Sequence, residues 1–538
     1  MKSLKSIIVL CVFVFASATA YSVIRGTESY NPGVVWHLGG PSTNYAGWAG
    51  QTVTRSQIEH ELQLMQADGY THVLLNGNVP GAIYYGNETW NRFEYALDWC
   101  DANDMYVVLE LNYQYGKNED REAYYNDPVG SLPGSFQIWV NLAKYHFSLI
   151  GVTLGNEVGI GTPSPGEEPD MPNYLAGFRD YLLESHGTLE ALNTAWGSSY
   201  TDINDVNFPA DTDAGYDDLW RFAAIQFGRY YSEIYDHYFK SDPVLGPNLI
   251  YGSEGGWVKD AYGDYPASTV VVYDDLMAYY PAWYIKAASE TTSKPSFNTE
   301  IHLYNDGYSY GGSIEITRFR YFTDPLQGEW MNSSFAWGHW NSEISVPIHA
   351  ETPGVLADVK RLEPQLRLFN TESRQSRLGV LMMRELLYMN YYKQPDYDPD
   401  PMTRAYSVMA ATGRPWRFVK DLDLPDGQLD DLVLWSSDEM PISTLDAIVA
   451  LPPSVSVHLV GALPTKTEYG LSLPPAKITE LSNRIDSTYS TDNDALNAFV
   501  DPELPAYCHN IVDIQRLYWN PAPLGHFWYY LPYPEIEA

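Results

Sequence analysis

Between residues 33 and 341, short and nearly continuous apolar runs alternate with polar loops and with segments of helical periodicity. The runs are Gly33–Gly39, Thr71–Gly77, Met105–Leu111, Leu149–Glu157, Asn248–Gly256, Asp275–Tyr280, Ser296–Leu303 and Ser334–Trp340. Runs of this kind suit parallel strands covered on both faces, because neither face needs a polar alternate. Between them, apolar residues recur at i, i+3 and i+4: Ile58, Leu62 and Met65 before the second run, and Trp220, Ala223, Phe227, Tyr230 and Ile234 before the fifth. Eight strands in this rhythm predict an α/β fold, a (β/α)8 TIM barrel over residues 30–366. The competing arrangement is an open doubly wound sheet, since Val258–Ser268 makes a poor helix between the fifth and sixth runs.

About ninety residues separate runs four and five, with helical periods over Asn173–Glu184, Thr188–Trp196 and Asp217–Lys240. In a barrel such an insertion belongs to the loops of the active face. After Pro364 the runs shorten to Leu378–Met383, Arg417–Val419, Leu432–Trp435, Asp446–Leu451 and Val455–Val460, punctuated by Pro, Gly and Asp. These predict a smaller Rossmann-like α/β domain over 374–505, with an oligomerising role as its default, and a tail over 506–538 packed on the body. At the other end, Lys2 and Lys5, an apolar Ile7–Phe15 and Ala18-Thr19-Ala20 have the pattern of a cleaved signal peptide over 1–20. A secreted or periplasmic protein is expected.

Composition narrows the function. The 538 residues carry 32 Lys and Arg against 68 Asp and Glu, a formal charge of −36. No basic run exists to offset phosphate repulsion, so neither nucleic acid nor an anionic membrane is an expected partner. The 16 Trp, 44 Tyr and 18 Phe exclude a solvated, disordered chain. Beyond the leader only Cys100 and Cys508 remain, which rules out a thiolate zinc site. Cys100 closes an amphipathic stretch and reads as buried packing, with a bridge to Cys508 as the less favoured alternative. Without a dinucleotide or phosphate-loop fingerprint, no cofactor and no metal are expected.

In a barrel, catalysis falls at the C-terminal strand ends. Run four closes on Asn156-Glu157 and run seven carries Glu300 and His302. The others supply His37, Asn76, Glu110, Glu254, Tyr280, Trp337 and Trp340. Strands four and seven of an eight-fold ring lie nearly opposite, so Glu157 and Glu300 can meet across the mouth. A retaining glycosidase needs that arrangement, with one acid and one nucleophilic carboxylate ~5–5.5 Å apart. A single strand-end Glu is more often a surface residue, as Glu110 and Glu254 illustrate. The coincidence of both carboxylates with aromatic strand ends, whose flat faces suit sugar rings, is what raises the pattern above background.

Asn-Glu closing strand four and Glu closing strand seven resemble the signature of clan A glycoside hydrolases, which are retaining (β/α)8 enzymes. Within that clan the chain is most similar to family 42, the β-galactosidases. The resemblance is carried by Asn156-Glu157-Val158-Gly159, Phe178-Arg179, Thr188–Gly197, Tyr280-Pro281 and Gly328-Glu329-Trp330 leading to Trp337. That family's four-cysteine metal site has no counterpart here. The resemblance implies an amidotransferase-like domain from Leu378 onward and a homo-oligomer, a trimer in that family. It implies that Asn156 bonds the sugar's 2-hydroxyl and that Tyr280 orients the nucleophile.

The combined reading is a retaining β-glycosidase acting on terminal β-linked sugars of neutral oligosaccharides. Glu157 is its general acid/base and Glu300 its nucleophile, with Asn156, Tyr280, His37, Asn76, His302 and Trp337 as substrate contacts. The alternatives are an endo-acting clan A hydrolase on a galactan, mannan or agar, and a sugar-binding barrel without catalysis.

Overall fold

The computed structural model describes residues 30–36, 38, 54–77, 87–111, 121–131, 136–154, 161–240, 242, 250–253, 271–275, 283–291, 296–302, 321, 322, 325, 328–335, 337, 346–383, 401–424 and 427–501. They form two compact units. The first takes its described residues from 30–154, 226–275 and 296–367, the second from 161–225, 283–291 and 368–501. The leader segment over 1–20, Cys508 and the tail over 506–538 lie outside the described residues.

The first unit is built on eight strands: β1 (Asn31–Trp36), β2 (His72–Gly77), β3 (Tyr106–Leu111), β4 (Leu149–Leu154), β5 (Ile250–Ser253), β6 (Val271–Asp275), β7 (Ser296–His302) and β8 (Met331–Phe335). Their order in the sheet is β5-β4-β3-β2-β1-β8-β7-β6, and every described pairing is parallel. Chain neighbours are thus sheet neighbours all the way round. The end strands β5 and β6 also approach each other, so the sheet curls upon itself as a TIM barrel does. Helices α1 (Arg55–Ala67), α2 (Asn87–Ala102), α3 (Arg121–Asn126) and α4 (Phe136–Ala143) fill the crossovers between β1 and β4.

The two faces of the sheet can be told apart by what packs on them. Val34, Trp36, Val73, Leu75, Val107, Leu109, Leu111, Val152 and Leu154 join one cluster with Ile58, Leu62 and Met65 of α1 and Phe93 and Leu97 of α2. That is the outer, helix-covered face. The alternate residues Val35, Leu74, Val108, Ile150, Ile250 and Phe297 form a separate cluster, the barrel interior. The predicted apolar face of α1 is the buried one. Its start is fixed by a capping box, with Thr54 accepting from the Gln57 amide and Gln57 accepting from the Thr54 amide. Gly69, at φ +101°, then takes the left-handed turn into β2.

Two strands stand earlier than their apolar runs suggest. The sixth is Val271–Asp275 rather than Asp275–Tyr280, because the β-branched Val271-Val272 pairs with β7. The eighth is Met331–Phe335 rather than Ser334–Trp340. Hydropathy conceals it because Asn332, Ser333 and Ser334 are polar, yet all three are buried with partners. Asn332 donates to the Tyr30 hydroxyl, Ser333 bonds His72, and Ser334 bonds the Tyr321 hydroxyl.

In the second unit, β9 (Leu378–Met382), β10 (Arg417–Lys420), β11 (Asp431–Trp435), β12 (Ser456–Val460) and β13 (Ser487–Tyr489) form a wholly parallel sheet in the order β10-β9-β11-β12-β13. This is the doubly wound order 2-1-3-4-5. Of the apolar runs of this domain, Asp446–Leu451 overlaps the end of the helix Ile442–Val449, with Leu445 and Ile448 buried. The insertion and the segment after β6 belong to this unit. It contains α5 (Pro172–His186), α6 (Leu189–Trp196), the start of α7 (Tyr216–Tyr235) and α8 (Trp283–Thr291). Asp218 of α7, almost fully buried, ties α5 and α6 to it. It accepts hydrogen bonds from His186 Nε2 at 2.9 Å and Trp196 Nε1 at 2.8 Å, and from the Tyr469 hydroxyl at 3.4 Å. A second buried pair, Lys286 and Glu290 of α8 at 2.5 Å, sets the Lys286 ammonium 4.6 Å from the centre of the Trp416 ring.

Candidate active site at the C-terminal strand ends

The interior changes character along the strands. Near its base lies His72, whose imidazole occupies the space where a Cβ on Gly33 would stand. It bonds Ser333 Oγ at 2.9 Å and meets Phe297 edge-on at 5.8 Å. Burial pushes its pKa down to about 3, so the ring is neutral. Above it Val35, Leu74 and Val108, neighbours in register, make an apolar layer. Two residues further toward the C-terminal edge the wall turns polar. Asn76 of β2 pairs with Glu110 of β3, and Glu110 with Thr153 of β4. Glu110 and Thr153 are both fully buried.

Two irregularities interrupt the strands that lead to the predicted catalytic positions. In β4 the register slips between Leu149 and Gly151, where a Cβ on Gly151 would press on Ile250 at 2.9 Å. In β7 it slips between Asn298 and Ile301 against both neighbouring strands, which places a bulge at Thr299-Glu300. Its effect can be read from the flanking residues. Phe297 belongs to the interior cluster and Ile301 to the outer one, although residues four apart in an unbroken strand share a face. The phase therefore changes at Thr299-Glu300. Bulges next to active sites commonly re-aim a side chain in this way.

Of the predicted site residues, Asn76, Glu300 and His302 have their backbone placed near the C-terminal ends of β2 and β7. Asn156 and Glu157 follow the end of β4 at Leu154 but, like His37, lie outside the described residues. Tyr280 does too, five positions after Asp275, the last described residue of β6. Trp337 is fully placed. Its ring is buried in the outer cluster edge-on to Tyr70 at 6.4 Å, and its indole N–H donates to Glu61 of α1 at 2.7 Å. That is a packing position between β8 and α1, and Trp337 is not carried forward as a sugar contact. The polar step made by Glu110 and Thr153 was only half visible in sequence. Glu110 was one strand-end carboxylate among several, and Thr153 gives no signal inside an apolar run.

Among the described residues no group of three or more His, Cys, Asp or Glu could hold a metal ion, and no helix is long and apolar enough to cross a membrane. Cys100 is a buried free thiol, its pKa pushed up by burial.

No family model matches the chain, and no curated protein matches it in sequence. Solved structures do match. A β-galactosidase from the psychrophilic Marinomonas ef1 aligns with a TM-score of 0.60 at 15% identity, over 84% of this chain and 79% of its own. A catalytic mutant of a GH42 β-galactosidase from G. stearothermophilus aligns at 0.60 and 13%, over 82% and 73%. An exo-carrageenase of GH42 from Bacteroides ovatus aligns at 0.54 and 15%, over 87% and 70%. What these chains share is the fold. The likeness spans most of each chain, so it takes in the barrel and the following α/β domain together.

Proposed function

We propose that the protein is a retaining β-glycosidase that removes terminal β-linked sugars from neutral oligosaccharides. The observation that carries this reading is the bulge at Thr299-Glu300, on the seventh strand of a parallel eight-stranded barrel whose fourth strand leads into Asn156-Glu157. Two carboxylates from nearly opposite strands can flank one anomeric carbon, as double displacement requires. The fold shared with β-galactosidases and an exo-carrageenase supports the glycosidase class.

In this mechanism protonated Glu157 donates to the departing glycosidic oxygen while ionised Glu300 attacks the anomeric carbon. A covalent glycosyl-enzyme results. Glu157, now a base, takes a proton from water as that water displaces Glu300, restoring both groups. The charge on Glu300 helps keep Glu157 protonated near neutrality by like-charge repulsion. Asn156, His37, Asn76 and His302 contact the sugar, and Tyr280 orients Glu300. The leader pattern over 1–20 supports export of this activity from the cytoplasm, and the α/β domain serves a homo-oligomer, a trimer as in the family resembled.

Alanine at Glu157 or at Glu300 is expected to lower turnover on an aryl β-glycoside by several orders of magnitude. Azide should restore turnover of Glu300→Ala with inversion at the anomeric carbon. Wild-type turnover in either variant would overturn the assignment. Viscosity loss of a galactan, carrageenan or agar solution before monosaccharide appears would replace exo action by endo action.

A further inference from the structure

The crossover from β3 to β4 carries an apolar surface that the barrel core does not use. α4 is apolar at six of its eight positions and has no charged residue, a composition that belongs to a helix covered on every side. One side is covered. Trp139 and Val140 are buried, and Trp139 meets Phe93 of α2 edge-on at 5.0 Å. Another faces outward with Gln137, Ile138 and Asn141, and the turn after the helix adds Tyr145 and Phe147. The Lys144 amide donates to the Asn141 carbonyl at 3.2 Å, so the coil continues past α4. Tyr145 thus follows Ile138 by seven residues, about two turns. Ile138, Tyr145 and Phe147 are 43%, 77% and 40% exposed, and no other aromatic ring among the described side chains is as exposed as these two. Single apolar residues on a surface need no explanation, but three within one short segment mark a contact site.

The charge of this surface is as distinctive as its hydropathy. The chain carries 68 acidic residues in 538, yet none lies between Asp127 and Glu157. Acids that approach from neighbouring elements are engaged. Asp242 pairs with Lys144 at 2.9 Å, and Asp101 bonds His146 Nδ1 and the Ser148 amide, both at 2.8 Å. Gln137 Nε2 donates to Asn141 Oδ1 at 3.2 Å, so the two amides of α4 bond each other. Copies of a chain with net charge −36 repel one another, and this face is one on which that repulsion is relieved. A sugar would want polar edges beside the rings, which Ile138 and Phe147 do not supply.

We infer that Ile138, Tyr145 and Phe147 form a contact surface for a second copy of this chain. The inference rests on the homo-oligomer proposed above and gives it a contact on the barrel besides the α/β domain. Aromatic anchors among neutral polar groups are the usual centre of a protein interface, and a two-fold axis through this surface would bring the same three side chains of both copies together. Tyr145 and Phe147 precede the N-terminal end of β4, so a partner seated here leaves the C-terminal strand ends open.

The test is sedimentation equilibrium of the full chain as wild type, Tyr145→Glu combined with Phe147→Glu, and Tyr145→Phe, with folding checked by circular dichroism. The double variant loses both anchors and sets like charges against each other, so its dissociation constant should rise about tenfold or more. Tyr145→Phe keeps the ring and should sediment as wild type does. A second measurement does not depend on that variant's folding. Maleimide labelling of Tyr145→Cys, located by mass spectrometry, should be about tenfold slower in the assembled protein than labelling of Leu64→Cys, a site on α1 that is 41% exposed. Labelling at position 145 as fast as at position 64, or an unchanged dissociation constant in the folded double variant, would overturn the inference while leaving the homo-oligomer standing. A wild type that sediments as a monomer would remove both. Retardation of that monomer in a polysaccharide gel, lost in the double variant, would assign the surface to a sugar chain instead.

Discussion

His72 offers a perturbation whose size can be worked from its surroundings. Its imidazole is fully buried at the barrel base, and its pKa of about 3 compares with 6.5 in an unfolded chain. Below pH 6.5 the unfolded chain binds a proton that the fold refuses, so His72 makes stability fall as pH drops from 6.5 toward about 3. Linkage gives about 3 kcal/mol lost by pH 4.5 and about 5 kcal/mol once both states are fully titrated. Replacing His72 by Gln keeps a polar group that can reach Ser333 but removes the titration. Urea unfolding of both proteins at pH 7 and pH 4.5 isolates the effect as a double difference, since the other titrating groups are common to both. The wild type should lose about 3 kcal/mol more than His72→Gln over that interval. Equal losses in the two proteins would refute the picture of a neutral imidazole locked inside the barrel.

Other consequences follow from contacts in both units. Gly33→Ala places a Cβ about 2 Å from the His72 ring and should cost about 1–3 kcal/mol by overpacking, read as a lowered urea midpoint; wild-type stability would show that the ring can move aside. Trp337→Phe removes the indole bond to Glu61 and should cost about 1 kcal/mol of stability with KM unchanged. A raised KM at wild-type stability would instead return Trp337 to the sugar-binding surface. Asp218→Ala strands the Trp196 indole and His186 and should destabilise the second unit by about 3 kcal/mol in a denaturant titration; a loss below about 0.5 kcal/mol would mean that Asp218 does not hold the insertion helices.

How far the sequence discloses this architecture depends on how each strand is covered. β1 to β4 are largely apolar on both faces, and their runs locate them to within a few residues. β8 escapes because its buried positions are Asn and Ser, satisfied by Tyr30 and His72 far away in sequence and by Tyr321 on the segment before the strand, and no local pattern records such partners. β6 is displaced because Asp275–Tyr280 is as apolar as the Val-rich segment that pairs. The helix at Ile442–Val449 illustrates the converse, where a short apolar run has no period long enough to separate helix from strand. The apolar faces of α1 and α7 were legible because their helices are long. At the site, strand ends could be read but strand phase could not. The bulge at Thr299-Glu300 depends on pairing with two neighbours, and the burial of Glu110 depends on the closure of the whole sheet.

The central claim is that Glu300 attacks the anomeric carbon. A 2-deoxy-2-fluoro aryl β-glycoside of the preferred sugar, with a good leaving group, should trap the intermediate, because the fluorine slows its hydrolysis more than its formation. Mass spectrometry of the digested protein should then find one fluorosugar per chain, attached to the peptide containing Glu300. A label on another carboxylate, or time-dependent inactivation with no covalent sugar, would contradict the account.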